Sequence, residues 1–213
     1  MSVRNFWTVL LKIMGIWLVV GGIFSALEPL AFLAMALFAV NMYRKGEKKH
    51  PNKLALYWTL GSAIVSFVGA GLLGFAHTLP QTNLYTHGTL VTAMHGHYAF
   101  WGAYAMIVLA IISYSLPLMT GRKMFDSATG RLAFWLSNVG MLGMTVSFGV
   151  AGVAQVYLER KFGMDFMTVQ KEISIHFVIL ILCATLFTTG IVCYIIDFYN
   201  HGLPTDEALE INE

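Results

Sequence analysis

The sequence predicts an all-α fold: a polytopic bundle of about five transmembrane helices. Three observations carry this. Hydrophobic residues make up 57% of the 213 positions and charged residues only 11%, where a soluble domain carries roughly a quarter charged. Three long stretches hold no Asp, Glu, Lys or Arg: between Lys53 and Arg122, between Arg131 and Glu159, and between Glu172 and Asp197. Each is long enough for a bilayer core, which needs ~20 apolar residues per helix. Membrane-spanning backbone must satisfy its own hydrogen bonds, and long apolar runs do so as helices.

The spans are expected at about 13–42, 54–79, 89–120, 132–158 and 173–198. The first contains Glu28 and Pro29 in "FSALEPLAF". A charged carboxylate at that depth is costly, which suits a proton carrier or a group beside a metal. A protonated carboxyl bonded to a neighbouring helix is the structural alternative. Pro29 removes one backbone hydrogen bond and is able to kink the helix. The second span carries Gly61, Gly69, Gly71 and Gly74, which admit a neighbouring helix or a flat ligand. The third contains "MHGHY" at residues 94–98. The fourth carries Gly140, Gly143, Gly149 and Gly152, expected as packing residues. The fifth holds Cys183 and Cys193, whose spacing matches no metal or redox motif; they read as small apolar residues. One transmembrane domain, 1–213, is expected, with no internal repeat and no linker.

Loop charges give an orientation. The first connection, "YRKGEKKHPNK", has five Lys or Arg and the third, "GRKMFDSATGR", has three. The second, "PQTNLYTHGT", has none, and the fourth balances three basic against three acidic residues. The first and third connections are therefore expected in the cytoplasm. The N-terminus then starts outside and the C-terminus ends inside. The opening "MSVRNFWTVLLK" lacks the apolar core and cleavage site of a secretory signal. An outside start without a signal suits a piece that normally follows other helices. The net charge of +2 gives no basis for a nucleic-acid partner.

An α-helix turns about 100° per residue, so residues two apart point ~160° away from each other. His95 and His97 are not a chelating pair; each is placed to bind its own metal centre, one on either side of the helix. Imidazole is a standard axial ligand of haem iron. Gly96 and Gly102 are expected to keep the helix slim enough for two macrocycles. The plain alternative is a buried histidine bonded to a backbone carbonyl. Both histidines lie a few residues in from the uncharged second connection, within about 15 Å of the outer surface at ~1.5 Å per residue. His77 and His87 sit on that side, either anchoring haem propionates or facing water. His50 and His201 read as solvated, and His176 as an interfacial histidine.

The runs "FSALEPLAFLAMALFAVNM", "HPNK", "GFAHTLPQTNLYTHG", "TAMHGHYAFWGAYAMIVLAIISYSLP" and "AGVAQVYLER" resemble the large subunit of bacterial nitric oxide reductase, a branch of the haem-copper oxidase superfamily. The resemblance covers roughly residues 17 to 198. It implies that His95 is the proximal ligand of a high-spin haem b3 and His97 a ligand of a low-spin haem b. It implies that Glu28 lies near a non-haem iron, and that His77 and His87 lie on the outer side near the haems. The implied reaction reduces two NO to N2O and water with two electrons and two protons. Cytochrome c or a quinol is the implied donor. The family has about twelve helices, and this chain resembles the last five. Three histidines for the non-haem iron and the second low-spin haem ligand belong to earlier helices, and the family's histidine pair before the "SALEP" helix is absent. The resemblance therefore implies a partner membrane chain carrying those helices, as in a split enzyme. An oxygen reductase subunit, a non-catalytic haem-bearing electron carrier and a haem-free transporter are the other readings.

Overall fold

The computed structural model describes residues 3–45, 52–121 and 127–201, and it is helical throughout apart from short turns. Helix α1 runs Val3–Lys45 and contains the expected first span. It continues through Pro29 without interruption. Helix α2 runs Lys53–Thr78, α4 Leu90–Met119 and α5 Ala128–Lys161. Helix α7 runs Ser174–His201. Two short helices that the sequence pattern does not mark, α3 (Pro80–Thr86) and α6 (Phe166–Glu172), occupy the second and fourth connections. Among the described residues, α2, α4, α5 and most of α7 are long and apolar enough to cross a membrane; α1 holds a shorter apolar stretch, Lys12–Phe24. The protein is a multi-pass membrane protein.

Local chemistry sets the helix starts. The Asn52 side chain accepts the Ala55 N–H at 2.9 Å, and Ser127 accepts the Gly130 N–H at 2.8 Å. These caps satisfy backbone donors that the first helical turn leaves free. Ser127 also donates a short hydrogen bond to Asp197 on α7. A carboxylate beside the α5 N-terminus is electrostatically favoured there. Pro80 opens α3, where its missing N–H costs nothing. Gly88 and Gly163 adopt positive φ, 73° and 67°, in the turns after α3 and α5.

Neighbouring spans are antiparallel and meet through small residues. Gly140 of α5 packs on Cys183 and Phe187 of α7, while Gly190 of α7 packs on Ser137 of α5. Gly69 of α2 faces the Tyr98–Ala99 backbone of α4, and Gly102 of α4 faces Val65 and Ser66 of α2. Within these two contacts the helices widen to π geometry, at Phe67–Leu73 and Trp101–Ala105. Such π segments concentrate at functional positions.

The core centres on Trp58, fully buried among α2, α4, α5 and α7. Its ring meets Phe134 at 5.1 Å, Tyr194 at 5.7 Å and Trp101 at 6.1 Å between centroids, all edge-on. Edge-to-face aromatic pairs each add about 0.5–1.5 kcal/mol beyond area burial. The outward faces are apolar: Val153, Ile181 and Leu182 are among many large exposed hydrophobics. In water that surface would aggregate; against lipid it is the expected exterior.

Candidate haem-ligating site

Both histidines of the "MHGHY" motif lie on α4, five and seven residues after Leu90. Their rings go to different neighbours. His95 leans on α2: its Nδ1 donates to the Gly69 carbonyl at 2.9 Å. Its ring also stacks on His77, with centroids 5.0 Å apart and planes 24° apart. Gly74 leaves room for it, since a Cβ there would sit 3.2 Å from the ring. His97 leans on α5: its ring lies 4.9 Å from that of Phe148. Its Nδ1 donates to the Ala93 carbonyl one turn back, at 2.8 Å. The opposed projection expected from helical rotation is the arrangement observed.

Those hydrogen bonds decide the tautomer. A carbonyl only accepts, so the nitrogen facing it carries the proton. In each ring Nδ1–H is the donor and Nε2 keeps its lone pair. His77 follows the same pattern, donating from Nδ1 to the Leu73 carbonyl at 2.9 Å. A metal-ligating histidine characteristically donates its other ring N–H to a backbone carbonyl or carboxylate, which fixes ring orientation and raises ligand basicity. A carbonyl bond at Nδ1 and a metal at Nε2 are thus compatible in one residue. His77 Nε2 is buried without a hydrogen-bond partner. An orphaned buried nitrogen of this kind is costly unless something outside the polypeptide meets it.

On the His97 side an open groove of about 660 Å³ runs between α4, α5 and α7. His97, Gly96, Phe100, Trp101, Met141 and Phe187 line it. Its size falls within the roughly 300–1,000 Å³ of small-molecule and cofactor sites, as does its largely apolar and aromatic wall. A macrocycle ligated through His97 Nε2 meets a flat hydrophobic surface with one basic nitrogen, so the residues fit that group. A methyl added at Gly96 would have no atom within 4 Å, and this face is open toward the groove. Gly102 does not serve this purpose. The expectation that it clears space for a macrocycle is corrected by its burial against Val65 and Ser66. It permits helix contact instead.

The remaining sequence candidates lie apart. His87 is exposed at the end of α3. His176 is half-buried near the start of α7, and its backbone carbonyl accepts from Ser147 Oγ at 3.0 Å. Glu28 lies on α1 with its side chain outside the described residues, as is the side chain of His201; His50 lies outside them altogether. Among the described residues no three His, Cys, Asp or Glu side chains gather to hold a metal ion. Cys183 and Cys193 are half-buried free thiols. Sequence reasoning missed Phe148, Trp101 and Phe187, because aromatic residues in an apolar run carry no mark of which face they take. It also missed Gln155, whose amide within a charge-free span was a visible signal.

Fold and site together define a class: a polytopic helical membrane protein presenting imidazoles from both sides of one span. The family described as cytochrome c and quinol oxidase polypeptide I matches residues 6–186, and the chain belongs to it. Membership implies haem as the cofactor. The B subunit of nitric oxide reductase from Stutzerimonas stutzeri is 44% identical over 195 residues, which are 88% of this chain and 41% of that protein. Cytochrome c oxidase subunit 1 of Corynebacterium diphtheriae is 33% identical over 86 residues, 40% of this chain and 15% of its own length. Cytochrome bo(3) ubiquinol oxidase subunit 1 of Buchnera aphidicola subsp. Schizaphis graminum is 27% identical over 161 residues, 74% of this chain and 22% of its own. The chain spans less than half the length of these relatives.

Proposed function

We propose that this chain is the haem-ligating portion of a membrane-bound nitric oxide reductase, which converts two NO, two electrons and two protons to N2O and water. The observation that carries the reading is the pair of carbonyl-locked imidazoles on opposite sides of α4. His97 would hold a low-spin haem b, with Phe148 beside its ring and the apolar groove available to the macrocycle. His95 would hold a high-spin haem b3, with Gly69 fixing its tautomer. When bound, the haems and a non-haem iron supply electron delivery and the metal pair at which NO is reduced.

The polypeptide's own contribution is orientation and an apolar surface. Nδ1–H of each imidazole is committed to a carbonyl, so neither ring turns or exchanges its coordinating nitrogen. His97 is exposed in the isolated chain, and the apolar and aromatic wall of the groove beside it offers water few hydrogen bonds. Glu28 would serve near the non-haem iron as a proton-carrying group, a role that the likeness to nitric oxide reductase supports. His77 and His87 would meet haem carboxylates, and His77 Nε2 is the buried group that a carboxylate would meet if the ring were protonated. The remaining iron ligands and the second low-spin haem ligand come from helices beyond these 213 residues, on a partner membrane chain in the split arrangement. Electrons come from cytochrome c or a quinol. The histidine end faces the outer side of the inner membrane.

Nitric oxide reductase is favoured over an oxygen reductase by the relatives: the likeness to nitric oxide reductase is both higher in identity and broader in coverage than the oxidase likenesses. Optical spectra of the purified complex test the assignment. His97→Ala is expected to remove the low-spin signal and spare the high-spin haem, and His95→Ala the converse. Loss of both signals in either variant, or of neither, refutes it. Metal analysis separates the two chemistries: iron at the second metal position supports NO reduction, whereas copper supports oxygen reduction.

A further inference from the structure

The α4–α5 interface contains a polar device that the haem assignment does not use. Leu90 opens α4, so its N–H has no partner within the helix. Gln155 of α5 supplies one: its Oε1 accepts the Leu90 N–H at 2.9 Å. Gln155 is almost wholly buried. Its Nε2 donates to Glu159 Oε1 at 3.0 Å. An ionised carboxylate only accepts, so Glu159 forces the amide nitrogen toward itself and the amide oxygen toward Leu90.

Below this bond the helices continue in antiparallel register. Val91 packs against Gly152, and the Met94 thioether packs over Gly149. His97 then meets Phe148. Leu90 and His97 are seven residues apart, two turns and about 10.5 Å along the axis, so they share one face of α4. Gln155 and Phe148 are likewise seven apart on α5. A slip of one residue between the helices would turn the His97 ring by about 100°. Of the intervening contacts, the Gly152 seat on the Val91 backbone sets how closely the helices approach, and Met94 over Gly149 is a flexible apolar contact. The hydrogen bond is directional.

We propose that Gln155, its amide held in one orientation by Glu159, is the positioning residue that sets the register of α4 on α5 and so aims the His97 imidazole. This rests on the reading of His97 as a haem ligand, and it assigns a role to a side chain that touches no haem. The electron paramagnetic resonance spectrum of the oxidised, purified complex reports imidazole orientation at a low-spin haem. Gln155→Met keeps the chain length and removes both hydrogen bonds; it is expected to shift and broaden the low-spin signal with haem content retained. The exchanged pair, Gln155→Glu with Glu159→Gln, rebuilds both bonds, the Leu90 N–H still donating and only the side chain–side chain bond reversed, and is expected to restore the signal. An unaltered signal in Gln155→Met, or failure of the exchanged pair to restore it, overturns the proposal.

A second measurement needs no haem. In a Cys183→Ser, Cys193→Ser background, Met94→Cys with Gly149→Cys is expected to crosslink on oxidation. Adding Gln155→Met should slow crosslinking roughly tenfold, the scale set by one lost buried hydrogen bond. Equal rates overturn the register claim. A complex without any low-spin haem refutes the functional reading and leaves the register to be decided by this pair.

Discussion

Replacing Gly69 with alanine adds a single methyl group at a close backbone contact beside the site. The new Cβ would lie 2.7 Å from the Ala99 nitrogen, 2.7 Å from the Tyr98 carbonyl carbon and 2.9 Å from its oxygen. These are backbone atoms of a packed helix and have no rotamer by which to yield. Ordinary contact begins near 3.4 Å, so α2 and α4 must separate by about 0.7 Å, a shift that fits the cost of overpacking, about 1–3 kcal/mol. The same displacement acts on His95. Its bond to the Gly69 carbonyl is 2.9 Å long, and stretching it by the full separation takes it to about 3.6 Å, past the useful range. Equilibrium unfolding in mixed micelles measures the stability term, and the optical spectrum of the complex measures the high-spin haem. Gly69→Ala should lose stability by the stated amount and selectively weaken the signal assigned to His95. Gly15→Ala is the control, because nothing lies within 4 Å of its added methyl. It should be neutral or stabilise by up to about 1 kcal/mol through helix propensity. A Gly69→Ala protein as stable as the parent, with an unchanged high-spin signal, would show that the close approach is not what holds His95.

The Cβ that Gly96→Leu adds meets no protein atom within 4 Å, and the rest of the side chain extends into the groove beside His97, so fold stability should hold while the low-spin haem signal falls; a paired melt and spectrum check this. Asn52→Ala removes a cap and a buried bond, since Asn52 also donates from Nδ2 to the Ser113 carbonyl at 2.7 Å; the loss should be about 2–4 kcal/mol by denaturant titration, summing a cap with an unsatisfied buried carbonyl. Asp165 caps α6, and hydrogen bonds from the Thr168 side chain and backbone hold its carboxyl below the usual carboxylate range. A depressed folded-state pKa stabilises above the unfolded value of about 3.9 and loses that stabilisation as pH falls through the folded value. Amide protection in Phe166–Glu172, taken relative to intrinsic exchange at each pH, should therefore fall below pH about 4 and hold between pH 5 and 8, with Asp165→Ala weakly protected at every pH.

The spans were legible because charge is excluded from the bilayer core, and the gaps in Asp, Glu, Lys and Arg mark α2, α4, α5 and α7 to within a few residues. The opposed histidines were legible because a helix has one rotation per residue. The short helices α3 and α6 were not, since "PQTNLYT" and "FMTVQKE" have no apolar period and are helical only through Pro80 and the Asp165 cap. The role of a glycine was legible only in kind. Gly96 and Gly102 look alike in sequence, yet one borders a groove and the other a helix, and the difference lies in what stands opposite. The stacking of His77 on His95 was equally hidden, because it joins residues eighteen apart across two spans.

Two imidazoles on one helix, ~160° apart, would as ligands impose a condition that neither would impose alone. Turning the helix to bring one imidazole toward its partner takes the other away from its own. No rotation relieves both, so the helix must be fixed from both sides. On the α2 side the fixing is steric and polar at once: Gly69 and Gly102 interlock the two backbones, and the Gly69 carbonyl takes the His95 proton. On the α5 side Gly152 seats against the Val91 backbone, Met94 lies over Gly149 and Phe148 beside His97, and the directional element is the Gln155 bond to the first turn. A helix ends in unpaired N–H groups whether or not it carries ligands. Here one of those groups meets the only glutamine of its span, two turns from the imidazole that most depends on the helix not turning. The widened π segments at Phe67–Leu73 and Trp101–Ala105 fit the same demand, because they sit where the two backbones press closest and where an ideal α-helix would carry its side chains out of phase with the contact.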